Sequence, residues 1–213
     1  MSQAIARAFT TKVFLERAMT ADLLERADTI RYAYRASLIG SAHQFELTPD
    51  GLSWHVAGRA DLWRYNDISA VRLSYRPVSM QAHRFRADVS HISGARLAIV
   101  STSWQTAALM APQDGEYRAF IMELHARMAR AGSEAALTGG LGRNIYAIGL
   151  MFVALLAVGM TTLFVRALLT GEFAGALFLL GFAGLFGWQV GGFIRRNKPV
   201  TYTFADIPDA LLP

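Results

Sequence analysis

Apolar positions along this chain follow three rhythms in turn: a helical period, a two-residue alternation, and long uninterrupted runs. Leu23, Leu24, Ala27, Ile30, Tyr34 and Leu38 return at three- and four-residue steps, with Glu25, Arg26 and Arg31 on the opposite side. That spacing predicts an amphipathic helix with Thr20 as its N-cap, ending at Gly40-Ser41. Residues 1–40 are read as one N-terminal helical segment. From Phe45 the rhythm changes to alternation. Phe45 and Leu47 lead into Thr48-Pro49-Asp50-Gly51, a turn in which proline presets φ and glycine is free to take positive φ. Leu52, Trp54 and Val56 alternate with Ser53 and His55; further strands are predicted around Leu62–Tyr65, Ile68–Tyr75, 84–92, 96–101 and 107–111. A helical period resumes after Pro112-Gln113-Asp114-Gly115. Tyr117, Phe120, Ile121, Leu124 and Met128 form its apolar face and Arg118, Glu123, Arg127 and Arg130 its wet one.

Residues 144–165 and 173–194 are apolar runs without a charge, each about 22 residues long. At ~1.5 Å per residue each spans a hydrocarbon core of ~30 Å, and the short connection 166–172 makes them an antiparallel hairpin. Residues 41–131 are therefore a water-soluble domain, 132–143 a glycine-rich linker, 144–194 a transmembrane hairpin and 195–213 a tail. The tail is too short to fold alone and is expected to pack on its own domain. Arg127, Arg130 and Arg143 precede the first run, and Arg195, Arg196 and Lys198 follow the second. The positive-inside rule then keeps both flanks in the cytoplasm, with the short connection on the other side of the membrane. No cleavable signal peptide is visible in the first thirty residues.

With 213 residues and a net charge of +5, the chain is neither strongly basic nor built on a DNA-binding motif, so nucleic acid is not its expected partner. It has no cysteine, which excludes disulfides and thiol chemistry. His43, His55, His83, His91 and His125 show no metal-ligand spacing. There is no Gly-x-Ser-x-Gly, no Ser-x-x-Lys and no phosphate loop, and Asp61 and Asp67 read as turn residues before they read as a carboxylate pair. No catalysis, cofactor or metal is expected.

Three segments carry a resemblance to a known family: the opening Phe45-Glu46-Leu47-Thr48-Pro49-Asp50-Gly51-Leu52-Ser53-Trp54, the piece Leu62-Trp63-Arg64-Tyr65-Asn66-Asp67-Ile68-Ser69, and the helix of residues 117–130. Together they resemble the bacterial pleckstrin-homology-like domains of small membrane proteins, including the YcxB-like group. The resemblance implies an α+β fold. Its parts would be the N-terminal helical segment, an antiparallel β-barrel or sandwich with a C-terminal capping helix, and then the hairpin. Phosphoinositide binding does not follow from it, because the first hairpin turn, Thr48-Pro49-Asp50-Gly51, has an aspartate and no lysine.

The candidate interaction residues are arginines. Arg59, Arg64, Arg72, Arg76, Arg84, Arg86 and Arg96 spread through the strand region; even spacing puts Arg72 with Arg76, and Arg84 with Arg86, on shared faces. Ala183, Gly187 and Gly191 form a small-residue row in the second run, suited to packing on the first run, on a second copy or on a partner's helix. Neither run contains Asp, Glu, Lys or His, which leaves no proton relay and argues against transport by this chain alone. The expected function is a membrane-anchored scaffold. A binder of anionic lipid headgroups and an accessory subunit of a transporter or membrane enzyme are the alternatives.

Overall fold

The computed structural model describes residues 29–37, 39–77, 83–106 and 109–213. Two antiparallel meanders come first. Strands Ile30–Tyr34 (β1), His43–Leu47 (β2), Leu52–Val56 (β3) and Arg59–Trp63 (β4) form one sheet in chain order. Strands Ile68–Tyr75 (β5), Phe85–His91 (β6) and Arg96–Val100 (β7) form the centre and one edge of a second. A separate hairpin, Thr102–Thr106 (β8) with Leu109–Pro112 (β9), leads into helix Asp114–Arg130 (α1). Alternation produces the core: Phe45, Leu47, Leu52 and Trp63 point inward from the first sheet, and Val71, Leu73, Phe85, Ala87, Val89 and Ile99 from the second. The predicted stripe of α1, Tyr117, Phe120, Ile121, Leu124 and Met128, is fully buried against them.

The helix predicted from the sequence does not run through Ile30–Tyr34, which is strand β1. Ile30 and Tyr34 fit a helical step, but Tyr32 points inward with them, and Tyr32 and Tyr34 are 2% and 3% exposed. Their hydroxyls donate to the carbonyls of Val100 and Ala98 on β7, which satisfies two buried phenols and closes β1 onto the second sheet. Opposite, Arg31 pairs with Glu46 across the strands at 3.1 Å. Thr20 and the rest of the predicted helix up to residue 28 lie outside the described residues.

The predicted linker is also corrected. Residues 136–139 form strand β10, Ala136–Gly139, which joins the second sheet parallel to β5, with Leu137 opposite Val71 and Gly139 opposite Leu73. Helices Arg143–Leu169 (α2) and Phe173–Arg196 (α3) follow, and the chain returns as Val200–Thr201 (β11), antiparallel to β10. The second sheet thus runs β11-β10-β5-β6-β7. α2 and α3, with mean hydropathies of 2.4 and 1.7 in their apolar windows, are long and apolar enough to cross a membrane, and those windows are unburied. Gly171, with φ of +76°, ends the first helix, and the Glu172 amide donates back to the Ala167 carbonyl at 2.8 Å.

Both ends of this helical pair are tied to the sheet. The Gly140 amide donates to the Leu73 carbonyl at 2.8 Å, and the Leu141 amide to the Asn197 carbonyl at 3.0 Å. The tail folds back over α1, as expected from its sequence. Leu211 and Leu212 are buried, and Arg118 donates to the Pro213 carbonyl and the Asp209 carboxylate, both at 2.9 Å.

Candidate functional site

Side chains at even steps on β5 and β6 face away from the core, and register decides which of them meet. Arg72 lies opposite Asp88, Ser74 opposite Arg86, and Ser90 opposite Arg96. The outer face of the second sheet therefore gathers Arg72, Arg76, Arg86 and Arg96 around a concavity of about 480 Å³, with Asp88 as the one acid among the described residues of its lining. Arg86 donates twice to Asp88, through Nη2 at 2.6 Å and Nε at 2.8 Å, so the single acid is already engaged. Among the described residues the Arg72 and Arg76 side chains make long contacts alone, to the hydroxyls of Thr138 and Ser74, 3.4 Å each. Among the described residues no carboxylate pairs with Arg72, Arg76 or Arg96.

Arg84 stands beside this groove rather than in its wall. It is half-buried, and among the described residues its Nε has no hydrogen-bond partner. Burial, and then the neighbouring Arg86 and Arg76 guanidinium groups, hold its pKa below the ordinary arginine value, with Tyr34 acting in the opposite direction. Of the four arginines singled out from the sequence, three line one groove and the fourth borders it. Arg96 belongs to the groove and escaped selection, because only the β6–β7 register brings it to Ser90.

The groove begins beside the apolar helices. β10 and β11, which lead into and out of them, belong to the same sheet, and a side chain on Gly142 at the start of α2 would come within 3.9 Å of Arg72 Nη1. At the end of α3 the Arg196 guanidinium lies 4.9 Å from the centre of the Tyr75 ring. Arg143, Arg195, Arg196 and Lys198 place further positive charge at the same level.

The small-residue row occupies a different place. Ala183 and Gly187 line an apolar recess of about 340 Å³ between α2 and α3, and a methyl group on Gly187 or Gly191 would touch nothing within 4 Å. The two helices pack on each other, yet these glycines are not where their backbones approach closely.

The histidines do structural work separately. His43 Nδ1 lies 3.1 Å from the Tyr34 hydroxyl, and His91 Nδ1 lies 2.8 Å from Ser93 Oγ. Among the described residues no three of His, Asp and Glu gather where they could hold a metal. Asp61 accepts the Leu62 amide on an edge strand, at 2.8 Å. Neither known protein families, nor curated proteins, nor solved structures offer a match to the chain.

Proposed function

We propose that this protein is a membrane-anchored, non-catalytic interaction module. Its domain would be pleckstrin-homology-like and held at the cytoplasmic face of a bacterial inner membrane, where the arginine groove docks an acidic segment of a protein partner. One observation carries this reading: the strands that enter and leave the apolar helices belong to the sheet that bears the groove. A four-strand meander, a three-strand meander and a closing helix in that order support the domain assignment. The cations at the helix ends, against a short connection in which Arg166 is balanced by Glu172, support a cytoplasmic domain.

Dimensions favour a protein segment over a lipid headgroup in the groove itself. Its wall runs from Ala70 to Arg76, six residue steps or about 20 Å. That length exceeds the Debye length of ~8 Å at physiological salt, so its far end lies beyond the field of an anionic bilayer surface. An extended acidic peptide matches both the length and the unpaired charges.

The test is copurification of tagged full-length protein in mild detergent, alongside Arg72→Glu/Arg96→Glu. A stoichiometric partner that carries an acidic segment and is lost on charge reversal supports the reading. A partner retained by the reversed groove, or none at all, overturns it.

A further inference from the structure

We infer that the recess between the membrane-proximal end of β5 and the last turns of α3 is a binding site for the headgroup of one anionic phospholipid. This inference rests on the helices crossing a bilayer; it is independent of what the groove binds. The recess has a volume of about 510 Å³, with Tyr75, Pro77 and His83 on the domain side and Trp188, Gln189, Phe193 and Arg196 on the helix side.

Three features of this recess point to a lipid. The first is a fixed cation without a counter-charge. Arg196 lies over the Tyr75 ring at 4.9 Å, and among the described residues no Asp or Glu lines the recess and no carboxylate pairs with it. An arginine held by an aromatic face keeps its planar donors free for phosphate oxygens. Second, Gln189 and His83 bring hydrogen-bonding groups to the same space, which suits a phosphodiester and its polar substituent.

The third feature is apolar and lies at the right depth. Trp188 is 88% exposed. It precedes Arg196 by eight helical residues, about 12 Å toward the apolar interior. A cation at the end of a spanning helix sits at headgroup level, and a tryptophan a little deeper belongs to the interfacial belt. Trp188, Val190 and Phe193 then offer an apolar bed for the first part of an acyl chain, below the phosphate. A soluble anion could use the upper half of this site alone; a phospholipid uses both halves. The bound lipid would touch the sheet and α3 at once.

Native mass spectrometry of the full-length protein, delipidated in detergent and titrated with phosphatidylglycerol or phosphatidylcholine, tests the assignment. One phosphatidylglycerol should bind in preference to phosphatidylcholine. Arg196→Gln should weaken it about five-fold, the equivalent of about 1 kcal/mol. Trp188→Ala should weaken both lipids, and Arg72→Glu/Arg96→Glu should leave binding unchanged, which separates this site from the groove. In the wild type, a photoactivatable phosphatidylglycerol should crosslink to α3 near Trp188, a readout that does not depend on any variant folding. Equal binding of the two lipids, an unaffected Arg196→Gln, or crosslinks confined elsewhere would overturn the assignment. Full displacement by inorganic phosphate would also overturn it, in favour of a free-anion site. Release of the protein from membranes by alkaline carbonate would overturn the spanning reading and this inference together, before any lipid is added.

Discussion

His125 sits on the buried face of α1 with its Nδ1 2.7 Å from the Ile121 carbonyl and its Nε2 3.0 Å from the Tyr202 hydroxyl. That pattern fits a neutral imidazole, donating through Nδ1 and accepting from the tyrosine. Burial pushes its pKa below the ordinary histidine value, only partly offset by the hydrogen bond to Ile121. The unfolded chain, with histidine near 6.5, takes up a proton first as the pH falls. Stability is therefore complete above about pH 6.5 and declines below it. Thermal unfolding of the detergent-solubilised protein should show a lower midpoint at pH 5.5 than at pH 8, and His125→Gln should flatten that dependence. His43, whose pKa burial also lowers, adds a residual slope of the same sign. In the sequence His125 was one histidine among five; beyond the local Ile121 carbonyl, it is the returning tail, with Tyr202 and Phe204 packed on its ring, that gives it a side-chain partner. The arginines were easier to read. Alternation alone placed Arg72 with Arg76 and Arg84 with Arg86, whereas adding Arg96 required a cross-strand register that no local pattern encodes.

At the scale of elements, glycine has two meanings in this chain. Gly58 and Gly140 both have φ of +76°, but a methyl group on Gly58 meets open space, while one on Gly140 collides with the backbone carbonyls of Asn197 and Lys198. Gly58→Ala should cost only the left-handed penalty, about 1 kcal/mol. Gly140→Ala should cost about 3 kcal/mol or more, because the strand pair β10–β11 must also part. Comparison of the two thermal midpoints in one detergent checks this. The run from Gly132 to Gly142 looked like a linker because its composition is that of a loop. Gly139 and Gly140 instead make room for Leu211, Val200 and the returning chain, contacts formed some sixty residues later. Strand β1 was misread for a related reason: Ile30 and Tyr34 satisfy a four-residue step as well as a two-residue one, and the hydroxyl bonds of Tyr32 and Tyr34 to β7 are long-range. The α1 stripe and the apolar helices were legible because each declares itself within its own span.

For the whole molecule, the helical pair is an insertion between two neighbouring strands of one sheet. The Leu141 amide and the Asn197 carbonyl are hydrogen-bonded, so the pair leaves and rejoins the domain at a single point. Replacement of residues 143–196 by a short Gly-Ser turn should yield a soluble, folded protein with cooperative thermal unfolding. Truncation after residue 131 should not, since it removes β10, β11 and the buried Leu137, Leu211 and Leu212. Circular dichroism and gel filtration of the two proteins distinguish these outcomes. The same arrangement has a consequence for biogenesis. A ribosome makes the two meanders and α1 first, then both apolar helices, and only then the strand and leucines that finish the core. If both helices span a bilayer, as proposed, a chain that crosses it once instead of twice delivers those last residues to the wrong compartment and leaves an open sheet edge behind. On that reading, completion of the domain is a check, made by the chain itself, that both helices have been threaded.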